Sequence, residues 1–310
     1  MKTGKKLKLL PILPIIGLLS GCTINFQQDE DFTNLFGSKV YVTEKAEQTI
    51  AIEEHLKIDI STGSGSITVK GEAENEVKVV FNIRVGAENE EEAKRVLNKI
   101  IENPPIEKNA KTLVLGDLSK YNLENSIQVS IDFVVTAPFD TSLEASSGSG
   151  SYFVANIKGP VNIDSGSGAV LVKEIKSEVI VDTGSGSVSL ADISGNVLVD
   201  VGSGRVALKN IDQNLKINTG SGSVGIESHI ADGTKWEIDT GSGRIKIELP
   251  EAIQTKLRID TGSGRVNVGF PLNNVKASGG KWDTEGEIGE NPTAAIEVDT
   301  GSGSVEISSR

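Results

Sequence analysis

From about residue 143 to the end of the chain, apolar and polar positions repeat in a fixed register around the triplet Gly-Ser-Gly. Three residues before its first glycine stand Ile163, Val181, Val199, Ile217, Ile238, Ile259 and Val298, and five before it Val161, Val179, Val197, Leu215, Trp236, Leu257 and Ile296. That alternation predicts a strand with one buried face. Four and six residues after the same glycine come Val170 and Val172, Val188 and Leu190, Val206 and Leu208, Val224 and Ile226, Ile245 and Ile247, Val266 and Val268, and Val305 and Ile307. The step from three before to four after is odd, so a flat strand would send the two apolar sets to opposite faces. Each unit is therefore expected to hold two short strands joined by a glycine bend, where positive φ costs little. Ile175, Ile193 and Ile211 add a third inward position that closes the unit.

The triplet occurs nine times, beginning at Gly63, Gly148, Gly166, Gly184, Gly202, Gly220, Gly241, Gly262 and Gly301, and four of the intervals are 18 residues. Asp283-Thr284-Glu285-Gly286-Glu287-Ile288 aligns as a degenerate tenth copy in the last gap. A fixed period with small insertions predicts a parallel β-solenoid in which each coil pairs with its copies above and below, about 4.8 Å apart. About ten coils would make a rod roughly 45 to 50 Å long. Parallel crossovers favour a right-handed path. Eighteen residues is also three hexapeptides, the period of left-handed β-helices, but the six-residue apolar spacing of that class is absent.

Residues 71–142 break the period. Val77 to Val85 alternates as a strand, Ala93, Val96, Leu97, Ile100 and Ile101 form one helical stripe, and Asn103-Pro104-Pro105 ends it. Asn89 and Glu92 have capping-box spacing. Strands at Thr112 to Leu115 and Ile127 to Thr136 lead back into the repeat. The expected role of this segment is an α/β cap whose helix covers a strand edge at one end of the stack.

The N-terminus carries an address. Four lysines in Met1 to Lys8 precede the apolar run Leu9 to Leu19, interrupted by Pro11 and Pro14, and then Leu19-Ser20-Gly21-Cys22. Eleven residues of helix span about 16 Å, half of a hydrocarbon core, so the run reads as the core of a secretory signal. The last four residues resemble the bacterial lipobox, which implies lipidation of Cys22 after cleavage before it. The expected organisation is a lipoprotein signal peptide at 1–21, a tether at 22–44, a first coil with its strand-helix-strand cap at 45–142, and solenoid repeats at 143–310. The expected location is extracytoplasmic and membrane-anchored.

Composition narrows the chemistry. One Cys and two His leave no material for a histidine-rich zinc site, a thiol-histidine pair or a disulfide framework. Removing the four lysines of residues 1–21 takes the formal charge from −12 to −16, a surface that repels nucleic acid. Two residues before each first glycine lie Asp164, Asp182, Asp200, Asn218, Asp239, Asp260 and Asp299. Stacked carboxylates about 5 Å apart repel by on the order of 1 kcal/mol even in water. Asp, Asn and Ser at this position suggest Asx-type capping of the bend, with a Ca²⁺-binding row as the alternative; the calcium β-roll motif is absent and no metal or cofactor is expected. Thr62, Ser147, Ser165, Thr183, Thr219, Thr240, Thr261 and Thr300 form a neighbouring row, expected to hydrogen-bond along the stack, with Val201 as the exception. No histidine or acid stands where a nucleophilic serine would need one, so no catalytic residue is assigned.

Arg205, Arg244 and Arg265 follow the triplet. Pairing with the Asp row is the expected role, and contact with an anionic sugar the alternative. Trp236 aligns with Val179 and Leu257 and belongs inside the coil. Trp282, in the irregular stretch Lys276 to Asn291, is a weak candidate for ligand contact.

From Ile127-Gln128-Val129-Ser130-Ile131 through Ala137-Pro138 into the Gly-Ser-Gly ladder, the chain resembles the bacterial putative-adhesin domain family, a β-helix-repeat domain of unknown function. The resemblance covers about residues 45–310. It implies a cell-envelope β-solenoid, sometimes lipid-anchored, and carries over no catalytic residue. The combined expectation is a non-enzymatic adhesion or interaction scaffold whose partners are the membrane, through its anchor, and a protein or glycan ligand. A lyase-type polysaccharide enzyme on a β-helix, or a component of envelope-stress sensing, is the alternative.

Overall fold

The computed structural model describes residues 39–52, 55–73, 75–276 and 284–310. Cys22, with the export segment, and Trp282 lie outside them. The N-terminal part contains β1 (Val40–Ala51), β2 (Lys57–Thr62), β3 (Ile67–Glu72), β4 (Glu76–Ala87), α1 (Glu90–Glu102), β5 (Ile106–Lys108), β6 (Thr112–Leu115) and β7 (Gln128–Pro138). The repeats follow as β8 (Ser142–Ser149), β9 (Tyr152–Ile157), β10 (Val161–Ile175), β11 (Val179–Ile193), β12 (Val197–Ile211), β13 (Leu215–Glu227) and β14 (Lys235–Leu249). The chain closes with β15 (Thr255–Thr261), β16 (Arg265–Val268), β17 (Asn273–Lys276), β18 (Thr284–Ile288) and β19 (Ala294–Ser309). The fold is mostly β, one long and mostly parallel sheet of many strands.

In the middle of the stack Val161 lies opposite Val179, Val179 opposite Val197, and Val197 opposite Leu215, so neighbouring strands are copies 18 residues apart. Like apolar residues stack on like, and the inward columns are almost fully buried. The two short strands expected per unit are one bent strand: β10, β11, β12 and β14 each run 15 residues through the triplet, and Ser167 and Gly168 still pair with Ser185 and Gly186. The bend needs glycine chiefly because the layers approach closely. A Cβ on Gly186 would sit 2.0 Å from the Gly168 carbonyl oxygen, and one on Gly204 1.7 Å from that of Gly186. Positive φ adds to this at Gly168, Gly204 and Gly243. A second corner has left-handed Asn156, Glu174, Asp192 and Asn210, each just before a buried isoleucine.

Stacking order departs from chain order at both ends. At the C-terminal end β19 lies between β14 and the pair β15 and β16, so the corner at Gly301 separates those at Gly241 and Gly262. β18, the segment aligned as a degenerate copy, is not a coil; it runs antiparallel to β15, with β17 antiparallel to it in turn. Its single Gly286 cannot supply the narrow two-glycine corner. At the other end β2 and β3 lie between β8 and β9 on the inside and β6 and β7 on the outside. β4 then pairs antiparallel with β7, β1 with β4, and β5 with β6.

Helix α1 begins where expected: the Asn89 side-chain oxygen accepts a hydrogen bond from the Glu92 backbone N–H at 2.9 Å. Its Ala93, Val96, Leu97, Ile100 and Ile101 are buried against β1 and β4. It thus covers two antiparallel strands rather than the stack's edge, and those strands end the parallel ladder. β1 starts at Val40, within the stretch read from sequence as tether.

Candidate functional site

The repeat sorts its polar residues into columns on either side of the Gly-Ser-Gly corner. In spatial order the first is Asp164, Asp182, Asp200, Asn218, Asp239, Asp299 and Asp260. These side chains point out of the sheet, and all but the half-buried Asn218 and Asp260 are exposed. Among the described residues, Asp164, Asp182, Asp200, Asp239 and Asp299 accept no hydrogen bond, so these five do not cap the bend. The N–H groups at the corner are already used between layers, as where Gly262 and Ser263 donate to the Thr300 and Gly301 carbonyls at 3.0 Å.

One residue further on, the hydroxyl column points inward. Ser165, Thr183, Thr219, Thr240, Thr300 and Thr261 are at most 5% exposed, and their hydroxyls have no partner. The bonding expected along this row is absent: these inward hydroxyls stay out of hydrogen-bond reach of one another from layer to layer. At the N-terminal end backbone carbonyls serve instead: Thr62 donates to Ile131 and Ser147 to Gly65. The outward serines of the triplets do approach one another, Ser221 with Ser242 at 3.4 Å and Ser263 with Ser302 at 3.2 Å.

Arg205, Arg244 and Arg265 are exposed beyond the corner and make no ion pair among the described residues. Their expected pairing with the Asp row is not found, because the two columns leave the corner on different flanks of the serine ridge. Trp236 is fully buried, and its ring N–H donates to the Gln213 carbonyl at 3.3 Å.

On the Asp flank, near the C-terminal end, the sheet forms a shallow groove of about 350 Å³ lined by Lys216, Glu237, Asp239, Arg258, Asp260, Glu297 and Asp299, among others. Lys235 bridges Glu237 at 2.7 Å and Glu297 at 2.8 Å. The hydrogen bond from Lys235 holds the Glu237 carboxyl below its usual range, and the two glutamates raise the lysine. Among the described residues, no three acidic, histidine or cysteine side chains converge closely enough to hold a metal ion. The sequence reading missed this groove. The positions two before each Asp share its outward parity and were readable as a column, but Glu237 and Glu297 become neighbours only through the insertion of β19.

Residues 20–308 match a family model, Toastrack DUF4097. The chain belongs to this family. Toastrack membership bears out the resemblance drawn from the Gly-Ser-Gly ladder and the Ala137-Pro138 strand. Solved structures similar to this Toastrack chain include a "putative lipid binding protein" from Parabacteroides distasonis, 15% identical, covering 84% of this chain and 96% of that one, with a TM-score of 0.46. Another is a "putative adhesin" from Bacteroides fragilis, 14% identical, covering 85% and 96%, with a TM-score of 0.40. No curated protein matches.

Proposed function

We propose that this protein is a lipid-anchored, extracytoplasmic scaffold that binds a partner through the long outer surface of its solenoid and catalyses no reaction. The observation that carries this reading is the separation of its chemistry: acids, hydroxyls and arginines occupy parallel columns repeated layer after layer, and no Arg of the corner meets an Asp of the row. A repeated surface of this kind suits an extended or multivalent partner. The Leu19-Ser20-Gly21-Cys22 lipobox and the lysine-rich N-terminus support anchoring at the cell envelope. We read the winding as right-handed from the preference of parallel crossovers.

The test is fractionation of cells producing the chain or Cys22→Ala, followed by cross-linking on intact cells. The wild type is expected in the membrane fraction with a cross-linked envelope partner, and C22A free of the membrane. Membrane retention of C22A would refute the anchor; absence of any cross-linked partner would refute the scaffold. The groove containing Arg258 and five carboxylates favours one second reading, lyase-type action on an acidic polysaccharide. Accumulation of unsaturated products from polygalacturonate, abolished in Arg258→Ala, would establish it in place of the scaffold.

A further inference from the structure

In chain order the residues after the last five triplets run Arg205, Ser223, Arg244, Arg265 and Ser304. In space the insertion of β19 reorders them: Arg205 pairs with Ser223, Arg244 with Ser304, and Ser304 with Arg265. Val224 opposite Ile245 puts Ser223 and Arg244 in adjacent layers. The column therefore reads Arg, Ser, Arg, Ser, Arg. Unpaired guanidinium groups recur every second layer, about 9.6 Å apart, and a serine occupies each layer between. The three arginines are exposed and lack carboxylate partners among the described residues, so their donors are free for a ligand. Lys246 stands on the same flank, two residues along the strand from Arg244, and is held by Glu248 at 2.9 Å.

We propose that this stripe is a binding register for a linear anionic glycan carrying one carboxylate per disaccharide. The inference deepens the scaffold reading by naming a ligand class for one flank of the ridge. An extended β-linked hexose is about as long as one strand spacing, so a disaccharide spans two coils and brings its carboxylate to each arginine in turn. A planar guanidinium offers a carboxylate two parallel N–H donors, which a lysine cannot do. Ser223 and Ser304 face the intervening uncharged sugar, whose hydroxyls they can both donate to and accept from. The Asp column lies across the serine ridge on the other flank, and on the arginine flank Glu248 and Glu306 stand beside Lys246, two residues along the strands from the stripe.

The test compares hyaluronan oligosaccharides, with one carboxylate per disaccharide, against polygalacturonate oligomers, with one per sugar, and neutral cello-oligosaccharides, by calorimetry at low salt. The whole mature chain is expected to bind hyaluronan best and the neutral oligomer least. Arg244→Ala should weaken hyaluronan binding about two- to fivefold, the range for one exposed charge pair, and added salt should weaken the wild type. The double variant Arg244→Ser with Ser304→Arg keeps the charge but moves the central arginine one layer, and should abolish the preference for hyaluronan over polygalacturonate. Absence of hyaluronan binding, equal binding of the neutral oligomer, or an unchanged preference in the double variant would overturn the proposal. If a cell-surface partner is still cross-linked in any of those cases, the scaffold reading survives without this ligand.

Discussion

The two-glycine corner makes the sharpest demand on the structure, and Gly222→Ala tests it. A Cβ on Gly222 would lie 2.0 Å from the Gly204 carbonyl oxygen and 3.1 Å from the Thr219 hydroxyl. Since Cβ contacts under 3.0 Å essentially do not occur, the layers must part locally by about 1 Å, roughly a fifth of their spacing. That breaks about two ladder hydrogen bonds at about 1 kcal/mol each and loosens the valine and isoleucine columns beside them, for a total near 3 kcal/mol. The control is Gly225→Ala three residues away in the same strand, where the new Cβ would meet only the Val206 carbonyl oxygen at 4.0 Å. There the loss of chain entropy in the unfolded state should make alanine neutral or stabilising by about 0.5 kcal/mol. Urea unfolding followed by fluorescence of Trp236, buried in the adjacent layer, reads both variants. If G222A unfolds at or above the midpoint of G225A, close approach between layers is not what the glycines serve.

The buried, unpartnered hydroxyl of Thr240 can be replaced: Thr240→Val should leave stability unchanged or raise it by up to about 1 kcal/mol in the same urea assay, as Val201 already occupies this column. Asp299 lies between Asp239 and Asp260, so Asp299→Asn should stabilise by about 0.5 to 1 kcal/mol at low salt, a gain that shrinks with added salt; equal gains at both ionic strengths would refute repulsion in the column. Burial pushes the Tyr152 phenol up to about 12, and its hydroxyl donates to the Asp164 carbonyl at 2.7 Å. The folded state therefore favours the neutral phenol, so this contribution is whole below the unfolded value near 10 and is lost as pH rises towards 12. Alkaline unfolding should begin in that window and move to higher pH in Tyr152→Phe, measured by circular dichroism.

Much of this fold is legible because its core is written locally. The alternation around each triplet names nearly every inward side chain, Trp236 included, and the capping spacing of Asn89 and Glu92 marks the start of the helix. The bend was legible as glycine, but its cause was not, since the contact at Gly204 is with a carbonyl a full coil away. The second corner was also missed. Asn156, Asp192 and Asn210 signal it, but Glu174 at the same column obscures the pattern.

By itself the sequence determined which residues face inward, where the chain bends, and that copies stack on copies. Only the tertiary structure decided the order of stacking. A column of valine and isoleucine accepts any other copy as its neighbour, so local pattern cannot rank one partner above another. That choice depends on non-local packing of segments without a two-glycine corner, such as residues 284–288. The same choice places Ser304 between Arg244 and Arg265, and Glu297 beside Glu237, and so creates both surfaces on which the chain's chemistry is displayed.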